Sequence, residues 1–398
     1  MVIYLISCFT GINSGSGGHY YSLRTLVDSC VHEYEIVVLG DFFPQALSGV
    51  DKVSFVRCAR NDYLRDNLLA EFHSSEINIV HAYDYLSGLF GSQLARTIDV
   101  PLVVTKPGGP PIRAWLPKFK NMIVFHQADY EVLCGARFLG AINVVLIPNR
   151  VASPTMNLER LSPFPSDKRA LNVIRICRIG RSYRESIFQA INLVNELNSR
   201  NIPARLAVIG TIQDDEVYRE VEAAISSCSN AVLCTSSEFT VNASELIQFS
   251  DLVVGTGRGA IEAMAAGKLI FFPVRNQSIP CFLTEHNYSA AFHHNFSPRI
   301  GEDADVNAYE ALERFVRIVC EGRLADSQIY AKRIFKRDHD IRSGLLKIYK
   351  FYSDAQTEKS CSSLLRIYVY ALINFLSGLK RKKCWFVSWV KVSVSNLR

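Results

Sequence analysis

Short apolar runs alternate with amphipathic stretches along the first 150 residues. The runs at 2–7, 35–39, 53–56, 77–81, 102–105, 122–125 and 144–147 are apolar on both faces, and stretches with helical spacing lie between them at 20–30, 85–98 and 127–138. Strands this short, buried on both sides and separated by helices, predict a parallel sheet covered on both faces. Residues 153–168 break the pattern: they are rich in Pro, Ser and Asn, have no period and read as a linker. The alternation then resumes. It predicts strands at 172–177, 205–209, 231–234, 252–254 and 269–274, with helices at 187–198, 216–226, 243–249 and 261–266. Further helices are predicted at 309–320, 327–335 and 343–352. The fold class implied is α/β: two Rossmann-like, doubly wound domains facing a cleft, with a helical C-terminal extension. The expected division is 1–152, 169–325, helices 326–356 returning to the first domain, and a tail 357–398. Open sheets of this kind bind ligands beyond the carboxyl ends of their strands, so facing domains direct both sets of strand ends at one cleft.

Composition narrows the class. With 398 residues, 48% hydrophobic and 21% charged, the chain can bury two full cores. A net charge of +6 is too small and too scattered to indicate a nucleic-acid partner. The eleven cysteines are scattered and contain no C-x-x-C pair, which fits reduced thiols better than a disulfide framework or a zinc site. The chain opens on an apolar strand without a basic n-region or a cleavage site, so no secretory signal is read and a cytoplasmic location is expected.

The sharpest local feature is Val254-Gly255-Thr256-Gly257-Arg258-Gly259-Ala260-Ile261-Glu262, a strand running through a glycine-rich turn into a helix that ends near Gly267. Helix-start N–H groups, glycines that permit close backbone approach, and a cation together suit a phosphate. Glu262 in the first helical turn could accept hydrogen bonds from sugar or ribose hydroxyls. The same residues would also serve as a tight strand–helix turn with Glu262 complementing the helix dipole. The dinucleotide fingerprint fits loosely, because the turn follows the fourth strand of its block and no acid answers it in Val274-Arg275-Asn276-Gln277. Gly17 and Gly18, after the first strand, form a second candidate cradle. Lys106 and His81 close strands and are placed to reach into a cleft. Arg178, Arg181 and Arg184 follow the first strand of the second block, and Gly210 closes the strand at 205–209; the arginines would add anion affinity. The triplets Asp303-Ala304-Asp305 and Asp338-His339-Asp340 lie in polar stretches away from the strand ends and read as surface; no metal site is expected.

Four segments in this order resemble the GT-B glycosyltransferases, in particular the retaining family-4 group of bacterial surface polysaccharide synthesis. They are Gly17-Gly18, the strand-end His81, Ile147-Pro148-Asn149-Arg150-Val151, and Glu262-Ala263-Met264-Ala265-Ala266-Gly267. The resemblance implies a nucleotide-diphosphate sugar donor bound mostly by the second domain, net retention at the anomeric carbon, and no metal or other cofactor. It implies that Glu262 holds the ribose. Arg258 and the turn N–H groups of Thr256, Gly257 and Gly259 would hold the diphosphate, with Arg178 on its developing charge. Three positions depart from the family: Val254 stands where its first glutamate belongs, Lys106 replaces a strand-end histidine, and Tyr183 occupies a lysine position, for which Arg181 or Arg184 would substitute.

The tail adds one expectation. Residues 364–379 are strongly apolar but too short to span a bilayer, and Lys380-Arg381-Lys382-Lys383 and Trp385, Phe386 and Trp389 follow. An apolar face, a basic cluster and tryptophans describe a helix lying in a membrane interface, on the inner face of the plasma membrane, and suggest a glycan or lipid-linked acceptor. A sugar-nucleotide epimerase of the same architecture and a non-catalytic partner subunit remain as alternatives. The first would need acid/base residues in the cleft. The second draws on Val254.

Overall fold

A computed structural model describes residues 1–10, 17–65, 68–109, 112, 119–135, 142–154, 157–165, 170–302 and 306–357. The first half comprises β1 (Val2–Cys8), α1 (Gly18–Ser29), β2 (Tyr34–Gly40), β3 (Val53–Arg57), β4 (Ile79–Ala82), α2 (Tyr85–Thr97), β5 (Leu102–Lys106), β6 (Asn121–Val124), α3 (Gln127–Gly135) and β7 (Asn143–Leu146). Its seven strands are ordered β3-β2-β1-β4-β5-β6-β7 and every pairing is parallel. The pleat of β1 shows why both faces must be apolar. Ile3 and Leu5 enter the core under one helical layer, while Val2, Tyr4, Ile6 and Cys8 enter the core under the other.

The second half comprises β8 (Leu171–Ile176), α4 (Arg184–Ser199), β9 (Ala204–Ile209), α5 (Asp215–Ser226), β10 (Ala231–Cys234), the single turn α6 (Ser237–Thr240), β11 (Leu252–Val254), α7 (Arg258–Ala265), β12 (Leu269–Phe272), β13 (Cys281–Phe282) and α8 (Tyr288–His293). The order is β10-β9-β8-β11-β12-β13, with β13 antiparallel to β12. In each sheet the order reverses direction beside the first strand, between β1 and β4 and between β8 and β11, and the ligand crevice of such sheets opens at that point.

Three features differ from the expectation. Residues 243–249 form a 3-10 helix rather than an α-helix. The short β13 and α8 carry too few residues to show a period. Helix α9 (Ala308–Cys320) and α10 (Leu324–Ile334) pack on the second sheet, through Leu312, Phe315, Ala331 and Ile334. The return to the first domain therefore begins after α10, at a π-helical turn, Phe335–His339, rather than at 326. There Val151 bridges to Asp340, and α11 (Ile341–Ser353) lays Ile341, Leu345, Ile348 and Phe351 into the first domain's core.

Asp340 caps α11 by accepting from Arg342 N, and Asp84 caps α2 in a capping box with Ser87. Asp84 also accepts from Ser7 N at 2.8 Å, which ties the end of β1 to the start of α2 beside the crevice. Among the described residues every cysteine is a free thiol, and no helix is long and apolar enough to cross a membrane. The tail from 358 onward lies outside the described residues.

Candidate functional site

The two sets of strand ends enclose a cleft of about 810 Å³, within the range of small-molecule sites. Its lining comes from both halves. Gly17, Gly18 and His19 follow β1, Gly108 follows β5 and His126 follows β6, facing Arg178, Gly210, Thr256, Gly257, Arg258, Gly259 and Glu262 of the second half.

The glycine-rich turn is built tightly. A Cβ on Gly255 would lie 2.7 Å from the Cα of Ala260, and Gly257 has φ +50°, so both positions favour glycine. Part of the turn's donor capacity is already used. Gly255 N–H donates to Phe271 O (2.9 Å), Gly257 N–H to Asn295 O (3.1 Å) and Gly259 N–H to Thr256 O (3.1 Å). Arg258 is spent in the same way: Nε donates to Glu262 Oε1 at 2.7 Å, Nη2 to Thr25 Oγ1 of α1 at 3.0 Å, and Nη1 to Arg150 O at 3.4 Å. It thus fixes the Glu262 carboxylate and joins the two halves at the cleft floor.

Arg178 occupies the turn after β8. Its Nη2 donates to the Tyr183 hydroxyl at 3.0 Å, and its guanidinium lies 5.2 Å from the centroid of that ring. Tyr183, the residue in the lysine position, therefore holds the arginine by cation–π and hydrogen-bond contact. His19 faces it across the cleft: burial holds the imidazole below its ordinary pKa, and Arg178 acts in the same direction, while Asp84 opposes both. Gly210 lines the cleft because β9 must pass close to the Arg178 turn; a Cβ there would stand 1.6 Å from Cys177 O. Beneath the turn, the buried Arg175 donates from Nη1 to Val254 O at 3.0 Å and from Nη2 to Ser186 Oγ at 2.7 Å. Val254 is fully buried within the second core and borders the cleft from there.

Several expected site residues lie elsewhere. Arg181 is exposed and paired with Asp214 and Glu216, and Arg184 pairs with Glu220, so the acidic face of α5 draws both away from the cleft lining. His81 is 1% exposed. Tyr352 Oη stands 2.6 Å from its Nδ1 and Thr105 Oγ1 stands 2.7 Å from its Nε2, and burial pushes its pKa down to about 3. It is a neutral core group under α11, outside the cleft lining. Lys106 is 4% exposed and lies 2.8 Å from Asp129 Oδ2, with Nζ donating to Gly108 O; it underlies the cleft rather than lining it. The triplet Asp338-His339-Asp340, expected at the surface, is instead largely buried: Asp338 accepts from Arg337 and Tyr288, His339 is 1% exposed and Asp340 caps α11, while Asp303 and Asp305 lie outside the described residues.

The structure adds lining residues that sequence reasoning did not single out: His19, His126, Arg275 and Arg299. His126 and Arg275 could have been found from their places just past β6 and β12, the same strand-end signal used for Lys106. Arg299 has no such signal, because it comes from a 3-10 turn brought in by Asn295–Pro298.

No protein-family model matches the sequence, and no curated protein matches it. Solved structures do. Anabaena HepE in complex with UDP aligns with 15% identity over 89% of this chain and 100% of its own, with TM-score 0.62. A glycosyltransferase from Rickettsia africae aligns at 12% identity over 88% and 98% with TM-score 0.60. The pneumococcal O-GlcNAc transferase GtfA in complex with UDP and GlcNAc aligns at 12% over 89% and 99% with TM-score 0.57. At this identity the likeness is one of fold, and the fold is GT-B, with two Rossmann-like halves facing a cleft.

Proposed function

We propose that this protein is a glycosyltransferase that moves a sugar from a nucleotide-diphosphate donor to a glycan or lipid-linked acceptor in polysaccharide or lipopolysaccharide assembly. The observation that carries the reading is the cleft itself, where a glycine-rich helix start, Glu262 and the tyrosine-held Arg178 converge at the switch points of two facing sheets. Structures of similar fold are described with UDP and with UDP-glucose, which supports a nucleotide-sugar donor. In this reading the nucleotide diphosphate gains negative charge as the bond to the anomeric carbon breaks. Arg178, already oriented, stabilises that charge without reorganisation. Glu262 holds the ribose, with its carboxylate aimed by Arg258. Transfer proceeds with retention and without a metal, and closure of the two halves excludes water from the donor. In this reading the apolar, basic composition of the tail supports a position at the inner membrane surface, beside a lipid-linked acceptor.

Calorimetric titration with UDP- and GDP-sugars, with and without EDTA, tests this. Binding of one donor series, unaffected by EDTA and followed by slow release of free sugar, supports the transferase. Absence of binding to every nucleotide sugar overturns it. The buried Val254 favours one second reading, a partner subunit without turnover, which would bind nucleotide but release no sugar under any acceptor.

A further inference from the structure

Behind the wall of the cleft lies a positive charge that is not part of its surface. Arg175, on β8, is 1% exposed. Its guanidinium donates to Val254 O at 3.0 Å and to Ser186 Oγ at 2.7 Å, and lies 6.0 Å from the centroid of the Tyr183 ring. None of these partners is charged, and Arg175 forms no ion pair among the described residues. Yet Val254, Ser186 and Tyr183 all line the cleft. The guanidinium therefore sits one residue behind the surface that meets a ligand. Among the described lining residues the carboxylates are Glu262, bound by Arg258 Nε at 2.7 Å, and Glu185, which accepts from Asn276 N–H at 3.0 Å. Neither pairs with Arg175.

Tyr183 is shared by two cations. Arg178 donates to its hydroxyl and lies 5.2 Å from its ring centroid, while Arg175 approaches the same ring from the core. Cys177, between them in sequence and itself in the lining, registers both fields: burial raises its thiol pKa, and Arg175, followed by Arg178, opposes the rise. A cation held away from water without an anion is costly. Phosphate seated between the glycine-rich turn and Arg178 would supply the missing negative charge, acting through protein, where Coulomb attraction is stronger than in water.

We propose that Arg175 is a positioning residue for the diphosphate end of the site. Without touching the ligand it supplies a second positive charge behind the wall. Through Val254 O and the Tyr183 ring it also fixes the end of β11 and Arg178 relative to each other. The inference rests on the nucleotide-sugar reading and adds to its phosphate end a residue outside the cleft lining.

Calorimetric titration of the full chain with a nucleoside monophosphate and the matching diphosphate tests this, using UMP and UDP or GMP and GDP, whichever series binds. The readout is the gain in affinity brought by the second phosphate, which a merely structural role would not move. Arg175→Gln keeps a donor for Val254 O but loses the charge. It should reduce that gain roughly tenfold, the scale of a unit charge about 8–10 Å away at an effective dielectric of about 20, lessened by salt. Arg175→Met, which leaves no polar group to bury, should match it, and it carries the test where the glutamine variant does not fold. Arg175→Lys keeps the charge, loses the fork and should retain most of the gain. An undiminished gain in the neutral variants overturns the inference. So does an equal loss for monophosphate and diphosphate, which would make Arg175 a structural residue only, and so does a loss in Arg175→Lys as large as in Arg175→Gln. All three outcomes leave the donor reading standing. Failure of the wild type to bind any nucleotide would instead refute the donor reading, and the inference with it.

Discussion

Replacing Asp129 by Asn tests the electrostatics under the cleft. Asp129, on α3, is 1% exposed and faces Lys106, itself 4% exposed, at 2.8 Å. Burial alone would raise its pKa, yet the contacts with His126 and Lys106 outweigh that and bring it down from 3.8 to about 2. A fall of that size corresponds to roughly 2 kcal/mol of stability at neutral pH. The substitution also leaves a buried ammonium without its counter-charge, a loss typically of about 3–5 kcal/mol. We therefore expect Asp129→Asn to lower stability by about 3 kcal/mol at pH 7, read from urea unfolding midpoints. Because the carboxyl pKa is depressed in the folded state, the wild-type advantage is full above about 3.8 and fades as pH falls towards about 2. In the double variant Asp129→Asn with Lys106→Met no charge is left stranded, and more than half of the loss should return. A single variant within about 1 kcal/mol of wild type, or strictly additive single effects, would refute the reasoning.

Arg178→Ala should weaken nucleotide binding roughly 10- to 100-fold with little change in thermal midpoint, since its charge faces the cleft. Arg258→Ala should weaken the nucleotide less than tenfold but lower stability by about 1–2 kcal/mol, because its donors hold Glu262, Thr25 and Arg150 O; a larger nucleotide effect than that of Arg178→Ala would reverse these roles. His81→Ala should cost about 2–4 kcal/mol while leaving nucleotide affinity within threefold, as a core residue rather than a cleft group would. Because His81 is held neutral, with its pKa lowered from 6.5 to about 3, its contribution should decline as pH drops through that interval. Truncation at Ser360 should abolish flotation with vesicles containing anionic lipid; undiminished flotation would remove the interfacial tail from the proposal.

The strands were legible because each is a buried run whose two faces must both be apolar, and β1 feeding two cores is that signal in its plainest form. The turn at Gly255–Gly259 was legible for a similar reason. A strand that must reverse directly into a helix needs glycine where a Cβ would strike Ala260. Side-chain roles were less so. His81 and Lys106 sit at strand ends, as does His126, and nothing in one dimension tells which of them points into the cleft. Only His126 does, because α11 covers His81 through Tyr352 and α3 brings Asp129 against Lys106.

Arg181 and Arg184 show the same limit. A run of basic residues after β8 suggested a shared anion site. The acids Asp214, Glu216 and Glu220, some thirty residues away, pair with two of the three arginines. Arg299 carried no signal at all until its turn folded beside His126, past the end of β6. By itself the sequence determined the layers, the order of elements and the glycine-bounded turn, since these follow from local period and backbone sterics. The tertiary structure decided which charges meet in the cleft, because pairing between distant groups depends on which surfaces the packing of α3, α5 and α11 covers.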